Sequence, residues 1–353
     1  MRLKFRAPNS EFRNSRGVAL IMVLWVIAIL TVVVLEFSFA MRTEVNITKN
    51  FKEELQLYGI AQGGVQRAIA ELILKHDARF QQLTKTMKTE EVASEKKEWV
   101  PDGRPYALQF DQGECELRIM SEAGKVNINT ISEMTLRKLI GNLGLDAEKR
   151  DTVVDSILDW RDPDDFLRIN GAENDYYQSL KESYRCKNAN LDSIEELLLV
   201  KGVTPELFYG RKGAKGGEEE AKASDVGLKE IFSVYSPGEQ VDINSASLPV
   251  LRAVLGLPIA AAKAIIKARK EKSFKNQQDL LQRVPELSPF IAEITGRLVF
   301  SSILTPSATV YYTIESRGKS KEGGAVRGLK TIVKIDRTDK KGYKIIQWVD
   351  ALI

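Results

Sequence analysis

The stretch VALIMVLWVIAILTVVVL, residues 18–35, decides the architecture of this chain. Its only polar member is Thr31. A helix of this length, rising about 1.5 Å per residue, nearly crosses the hydrocarbon layer of a bilayer. Five basic residues precede the stretch, namely Arg2, Lys4, Arg6, Arg13 and Arg16. Because basic flanks stay on the cytoplasmic side, we expect residues 1–17 to be cytoplasmic and the rest of the chain to be exported.

A secretory signal peptide is the alternative interpretation of this stretch. Signal peptides have a shorter apolar run that ends in small residues, and only a weak site of that kind follows Leu35, close to Ala40. The sequence therefore favours a membrane-spanning helix. Helical spacing continues beyond it and predicts an apolar stripe at Phe51, Leu55, Tyr58, Val65, Ile69 and Leu72.

The junction Arg16-Gly17-Val18, with a basic segment before it and the apolar run after it, resembles the amino terminus of type IV pilins and pseudopilins. The resemblance implies that a prepilin peptidase cuts between Gly17 and Val18 and that Val18 is then methylated. It also implies one long helix, assigned to residues 18–95, half in the inner membrane and half under a periplasmic domain.

Position 22 departs from that family pattern. Pilins usually have glutamate at the fifth mature position, where it pairs with the free amino terminus of the subunit ahead, and this chain has Met22. A subunit with nothing ahead of it has no use for a carboxylate that is costly to hold in a membrane. Met22 therefore favours a place at a filament tip. Loss of assembly competence, or an anchor outside any filament, would leave the same residue.

The charge of the chain argues against nucleic acid as a partner. The formal net charge is +4, and residues 1–17 carry five basic residues against Glu11 alone. Without that segment, 47 of the 52 basic residues face 47 of the 48 acidic ones. The mature chain is then neutral and has no global attraction for phosphate.

The residue inventory also argues against ordinary hydrolytic or redox catalysis. A single histidine leaves no Cys-His or Ser-His-Asp set to choose from, and we expect His76 to be solvated at a helix end. Cys115 and Cys186 are too few for a disulfide scaffold or a thiolate metal site. Cys115 shares a strand face with Leu117 and Ile119, which favours a core position over a disulfide with Cys186.

Strand patterns lie at both ends of the exported region and predict an antiparallel sheet. A hairpin is expected around Asp111-Gln112-Gly113. The strand patterns cover residues 106–110, 115–119, 309–315, 329–336 and 343–351. We therefore assign the sheet to residues 96–122 and 305–353, interrupted by a helical insertion over residues 123–304.

The insertion contains an internal repeat, in which VNINT at residues 126–130 recurs as VDINS at residues 241–245. At the same offset Leu136 matches Leu251, Ile140 matches Leu255 and Gly141 matches Gly256. We predict two related halves, 123–210 and 228–304, and expect each repeated motif to cap the helix that follows. Residues 211–227 are rich in glycine and charge and predict a linker or mobile loop.

The repeat resembles the helix-hairpin-helix module, whose DNA-binding members offer backbone N–H groups of a Gly-x-Gly hairpin to phosphate. Nine basic and five acidic residues in 241–300 keep a DNA-binding interpretation open. Pro258, however, stands in place of the second hairpin glycine and has no N–H, and residues 125–210 are net acidic. We expect a packing module that binds no nucleic acid.

Carboxylates crowd two neighbouring segments, Asp159-Trp-Arg-Asp-Pro-Asp-Asp165 and Gly171-Ala-Glu-Asn-Asp175. Such groups repel one another unless they are solvated or share a cation, and oxygen ligands without histidine or thiolate indicate calcium. Asp165 is held in reserve, because adjacent residues seldom both face one ion. An acidic surface loop is the alternative. The candidate ligands are Asp159, Asp162, Asp164, Asp165, Glu173 and Asp175.

Taken together, these features resemble the K-type minor pseudopilins of bacterial type II secretion, also called general secretion pathway K proteins. The resemblance runs from Gly17 through Trp160-Arg-Asp-Pro-Asp164, Gly171-Ala-Glu173 and Tyr235-Ser-Pro-Gly238 to the final strands. It implies an α+β fold, in which a transmembrane pilin helix packs on an antiparallel pseudopilin sheet. A large all-α insertion of duplicated helix-hairpin-helix (SAM-like) units and structural calcium (Ca²⁺) are also implied.

The implied function is structural and not enzymatic. The chain would sit at the tip of a pseudopilus, start filament assembly with I-type and J-type minor pseudopilins, and support export across the outer membrane. Its other partners would be the prepilin peptidase, the inner membrane, exported substrate and the outer-membrane channel. It would cross the inner membrane once, with its C-terminal region periplasmic. The alternative is a membrane-anchored helix-hairpin-helix DNA-binding protein of the competence type.

Overall fold

The computed structural model describes residues 15–76, 99–210, 225–300, 310–321, 325–336 and 338–351. Three predicted segments therefore fall wholly or largely outside it: residues 1–14 of the leader, residues 77–98 of the long helix, and residues 211–224 of the linker. The chain divides into two compact units, Met1–Leu57 and Tyr58–Ile353.

Within the described residues, helices and strands follow one another as an α+β chain. The helices are α1 Ser15–His76, α2 Glu133–Asn142, α3 Ala147–Arg161, α4 Asn174–Gln178, α5 Pro205–Tyr209, α6 Leu228–Ile231, α7 Leu248–Ala253, α8 Ile259–Glu271, α9 Gln277–Arg283 and α10 Ile291–Ile294. The strands are β1 Asp102–Phe110, β2 Gly113–Ser121, β3 Val126–Asn127, β4 Phe232–Ser233, β5 Val241–Asp242, β6 Leu298–Val299, β7 Val310–Ser320, β8 Val326–Ile335 and β9 Tyr343–Ala351.

The first unit is the amino-terminal part of α1, which begins three residues before Val18. Residues 17–76 include a window long and apolar enough to cross a membrane, and none of that window is buried. A signal sequence would pass the same test of length and composition. The helix continues beyond the apolar run to His76, as predicted, and the first two residues of the stripe, Phe51 and Leu55, are 61% and 55% exposed. Both belong to the unit that contains no sheet to pack against.

The second unit is built on a sheet that joins five of the described strands in the order β1-β2-β7-β8-β9, all antiparallel. The strands β2 and β7 are hydrogen-bonded neighbours along the whole of β2. Everything between Ser121 and Val310 is therefore an insertion between adjacent strands. This confirms the predicted fold class.

The second part of α1 packs on the apolar face of the sheet. Ser316 Oγ on β7 donates to the carbonyl oxygen of Ala61 at 2.7 Å, and Cys115 Sγ on β2 lies 3.0 Å from Ser316 Oγ. Gly64 lies against both side chains, and a Cβ there would overlap Cys115 Sγ. The close crossing therefore needs glycine in the helix. Cys115 is a core residue, as predicted, and both cysteines are free.

His76 corrects a prediction from the sequence. The side chain is buried, and its Nε2 lies 2.8 Å from the hydroxyl of Tyr312 on β7. The prediction of a solvated histidine is wrong because the last turn of α1 still lies over the sheet.

The insertion is two copies of one unit, each closed by a two-residue parallel ladder. β3 pairs with β4 in the first copy, and β5 pairs with β6 in the second. Helix α6 and strand β4, residues 228–233, therefore complete the first copy. The predicted boundary at residue 228 is wrong because the chain returns to β3 before the second copy begins.

The repeat differs in two details from its prediction. The helices α2 and α7 are capped by Ser132 and Ser247, which follow the repeated motifs. Within the motifs, the side chains hold a turn instead: Asn127 Oδ1 accepts from Asn129 N at 2.8 Å, and Asp242 Oδ1 accepts from Asn244 N at 3.1 Å. The hairpin glycines with positive φ are Gly144 and Gly256, so matching Gly141 to Gly256 is wrong. The offset changes because α2 has 10 residues and α7 has 6.

Candidate functional site

Asp159 is the centre of the acidic cluster. It lies in the last turn of α3 and is completely buried. Its Oδ2 accepts backbone N–H groups of Ala172 at 2.9 Å and of Arg168 at 3.3 Å. Gly171 passes so close that a Cβ at that position would overlap Asp159 Oδ2. The Gly-Ala-Glu sequence is thus the segment that wraps around this carboxylate.

Two more predicted ligands, Asp162 and Glu173, join Asp159. Glu173 is 6% exposed, and both of its carboxylate oxygens are buried without a hydrogen-bond partner. Asp159 Oδ1 and Asp162 Oδ1 are buried and unsatisfied in the same way. Buried acceptors without partners are costly, so four such oxygens on three neighbouring carboxylates call for a positive charge.

The raised pKa values of the carboxyl groups in the cluster also indicate that a positive charge is needed. Burial raises the pKa of Glu173 to about 7, and the charges of Asp159 and Asp162 add to the rise. Burial likewise raises the pKa of Asp159 to about 6, against the effect of the two backbone N–H groups. The pKa of Asp162 is raised by burial and then by Asp164. The charged forms of these groups are therefore disfavoured unless a cation compensates them.

The other three predicted ligands lie at the rim. Asp164 is exposed, and its Oδ1 accepts the N–H of Phe166 at 2.9 Å. Asp165 is exposed, and its Oδ1 accepts from Nδ2 of Asn174 at 2.9 Å and from Nδ2 of Asn188 at 2.8 Å. Asp175 is exposed in the first turn of α4. The structure thus brings together half of the predicted set.

Two residues of the cluster escaped the sequence analysis. Asn188, with φ of 47°, has a buried Oδ1 without a hydrogen-bond partner. Arg168 lies among the carboxylates, with Nε 3.3 Å from Asp159 Oδ1 and Nη2 3.5 Å from Asp162 Oδ2. A search for clustered acids could find neither of them, because one is neutral and the other basic.

The donor chemistry fits a hard cation. The unsatisfied atoms of Asp159, Asp162, Glu173 and Asn188 are all oxygens, which Ca²⁺ prefers. In the part of the chain that the structure describes, however, no group of three or more His, Cys, Asp or Glu side chains is arranged so that it could hold a metal ion. The observation that supports the fit is therefore the set of unsatisfied oxygens and not a finished coordination shell.

An aromatic cluster supports the acidic one. Trp160, next to Asp159, packs edge-on against Tyr177 at 5.1 Å between ring centroids, and Tyr184 lies 5.3 Å from Tyr177. Cys186 is buried beside Glu173, and burial raises the pKa of its thiol to about 12. The thiol is therefore not a ready thiolate ligand at neutral pH.

The hairpins are a second candidate site, in this case for nucleic acid. The arginines near them, however, form hydrogen bonds within each copy that stabilise its packing. Arg161 donates to the carbonyl oxygens of Ile128 and Ile131 in the first copy. Arg269 donates to the equivalent carbonyl oxygens in the second copy, those of Ile243 and Ala246.

The helix starts behind the two hairpins are also unsuited to phosphate. The N-cap of α3 is Asp146, whose carboxylate accepts from Lys149 N at 2.9 Å. The N-cap of α8 is Pro258, which has no N–H to offer. This geometry favours the expected packing module.

Comparison with known proteins identifies two matching families. Residues 116–210 match the family described as type II secretion system (T2SS), protein K. Residues 236–294 match the helix-hairpin-helix motif family. The two matches cover most of the first copy of the insertion with most of the strand before it, and most of the second copy.

Similar proteins from other bacteria have the same description. The type II secretion system protein K of Pseudomonas aeruginosa is 27% identical over an alignment of 285 positions that covers 78% of each chain. The protein of the same name from Pectobacterium carotovorum is 26% identical over an alignment of 215 positions that covers 55% of this chain and 60% of that protein. Less than two thirds of the Pectobacterium protein is therefore spanned.

A solved structure has the same fold. It is titled as the GspK-GspI-GspJ complex from the enterotoxigenic Escherichia coli type 2 secretion system. The match has a TM-score of 0.51 and 16% identity, and it covers 82% of this chain and 96% of that one. At that identity the match establishes the architecture alone.

Proposed function

Because the chain belongs to the type II secretion system protein K family of minor pseudopilins, we propose that it caps the tip of a pseudopilus and starts its assembly. The observation that carries the proposal is the insertion between β2 and β7. A subunit with two extra helical units between adjacent strands is too wide to repeat along a tightly packed shaft. It fits at an end, where nothing has to pack above it.

The partners proposed are the I-type and J-type minor pseudopilins. The support is the match to a structure whose title names such a complex. The role is structural and not enzymatic: the complex would start the filament and support export across the outer membrane. In a strain that lacks the gene, we expect exported proteins to accumulate in the periplasm and the intact chain to restore their release. Normal export without the chain would contradict the proposal.

The anchor proposed is the apolar part of α1, which would cross the inner membrane once with the C-terminal region periplasmic. Its exposed apolar side chains from Val18 to Leu35 suit a lipid environment. We expect prepilin peptidase to cut between Gly17 and Val18 and the new terminus to be methylated. Mass spectrometry of the membrane form tests this directly. A terminus after Ala40 would instead indicate an ordinary secreted protein.

Met22 bears on the tip position. If no subunit lies ahead, Met22→Glu should cost little export activity, because the added carboxylate has no required partner and can be protonated. Labelling of the chain along purified filaments gives the independent readout. One label at one end supports the tip, whereas labels repeated along the shaft would contradict it.

Calcium is the cofactor proposed for the acidic cluster. Asp159, Asp162 and Glu173 would supply carboxylate oxygens, and Asn188 a neutral one. The cation would neutralise the buried carboxylates and tie the segment of residues 171–175 to the end of α3. Asp164, Asp165 and Asp175 would stabilise the loop from the rim. The exported substrate and the outer-membrane channel are the further contacts proposed for the tip.

A further inference from the structure

We propose that the guanidinium of Arg168 competes with the divalent cation for the carboxylates of Asp159 and Asp162, and thereby sets how tightly the site binds calcium. This inference rests on the proposed calcium site. Arg168 is not a ligand in this scheme, because its side chain acts against calcium binding.

The guanidinium of Arg168 and a bound cation need the same oxygen atom of Asp159. Asp159 Oδ2 is committed to the backbone N–H groups of Ala172 and Arg168. Only Oδ1 remains for a ligand, and Arg168 Nε lies 3.3 Å from it. Asp159 is completely buried, so water cannot compensate the charge on this oxygen, and either the guanidinium or the cation has to do so.

The guanidinium and the cation would also repel each other. A guanidinium and a divalent cation on one carboxylate would lie within about 4 Å of each other, where even a well-screened pair of charges interacts by more than thermal energy. Asp162 repeats the conflict, because its Oδ2 lies 3.5 Å from Arg168 Nη2. Binding of the cation therefore requires the side chain of Arg168 to leave.

The side chain of Arg168 has an alternative acidic partner outside the cluster, Glu133. The Arg168 side chain is 38% exposed, and its Nη1 already lies 3.4 Å from Glu133 Oε2 on α2. Glu133 is 49% exposed, so an ion pair there costs little desolvation. The backbone N–H of Arg168 can stay on Asp159 Oδ2 while the side chain turns outward. The exchange thus needs a change of rotamer and no rebuilding of the loop.

The test is a calcium titration of the full-length chain in detergent micelles, by calorimetry against a calibrated chelator. We expect Arg168→Gln to bind calcium about tenfold more tightly than the native chain, since an ion pair no longer has to be broken first. Arg168→Lys keeps the charge and should stay within about threefold of the native affinity.

Arg185→Gln is the matched control, since it removes the same charge from a nearby exposed position. Arg185 directly precedes Cys186, which is buried beside Glu173. We expect the affinity of this variant to equal that of the native chain. A gain in this control as large as that of Arg168→Gln would overturn the inference, because general electrostatics would then explain both.

A second readout is thermal unfolding in chelator and in calcium. Arg168→Gln should melt lower than the native chain in chelator, and the difference should disappear in saturating calcium. Equal or weaker calcium binding by Arg168→Gln, with normal binding by the native chain, would overturn the inference and leave the proposed site standing. If neither chain binds calcium, the site itself fails and the inference with it.

Discussion

The carboxylate of Asp159 lies directly against the Cα of Gly171, in a contact that leaves no room for a side chain at position 171. The two residues belong to separate acidic segments of the sequence, and this contact is where the segments meet. Glycine is needed here for space, since the φ of Gly171 is not in the left-handed region. The Gly-Ala-Glu segment is thereby fixed by a packing requirement as well as by the charge of Glu173.

We predict that Gly171→Ala destabilises the chain by about 1–3 kcal/mol, the usual cost of overpacking a buried position. Chemical denaturation in chelator measures it. Gly141→Ala, in helix α2, is the control. A Cβ at position 141 would lie 3.5 Å from Arg150 Cδ, which is an ordinary van der Waals distance. That control should stabilise the chain by about 0.5–1 kcal/mol. Equal effects of the two substitutions would contradict the close contact.

Calcium should raise the melting temperature of the native chain. A ligand that binds only the folded state adds about 2.7 kcal/mol of stability at a hundredfold excess over its dissociation constant. Glu173→Gln should lose most of that gain, because both oxygens of Glu173 are buried and unsatisfied. Asp175→Asn, at the exposed rim, should keep it. Identical melts of the metal-free native chain with and without calcium would reduce the cluster to an acidic loop.

In chelator, stability should rise as the pH falls from about 7.5 to about 5. The folded pKa values of Asp159 and Glu173 are raised to about 6 and about 7, so the folded state binds more protons than the unfolded state in this range. Their contribution is complete below the unfolded values of about 4 and is lost as the pH rises through 6 and 7. The double variant Asp159→Asn, Glu173→Gln should flatten this dependence. A native chain that is less stable at pH 5 than at pH 7.5 would argue against the raised values.

Both cysteines should be free but protected. Cys115 is buried under α1 and Cys186 beside Glu173, and burial raises the pKa of each thiol. We predict that, without reductant, an alkylating reagent labels neither thiol in the folded chain and both in the unfolded chain. Intact-mass spectrometry counts the labels. An unfolded chain that takes up no label until reductant is added would show a disulfide.

Patterns in the sequence were sufficient wherever one local feature determines the outcome. The apolar run of residues 18–35, the alternation of Cys115, Leu117 and Ile119, and the repeated VNINT and VDINS motifs each led to a correct element. The strand patterns at both ends of the exported region also predicted the helical insertion that interrupts the sheet, and the resemblance to K-type pseudopilins placed the parts in one known architecture.

The predictions from the sequence were wrong where contacts between distant segments determine the structure. His76 is buried because Tyr312, far along the chain, covers it. Residues 232–233 belong to the first copy because they pair with residues 126–127. At the site, the spacing of the acids gave all three central carboxylates but also three rim residues, since spacing does not say which side chains turn inward. Arg168 and Asn188 belong to the cluster only because the folded loop brings them there, and no sequence pattern indicates this.

Reconstitution of the tip complex tests directly whether this chain assembles with the other minor pseudopilins. The chain without residues 1–44 is mixed with the I-type and J-type minor pseudopilins of the same organism, and the mass of the purified species is measured by light scattering. We expect one stable species with the summed mass of one copy of each protein. Separate elution of this chain, under conditions where the other two bind each other, would contradict it.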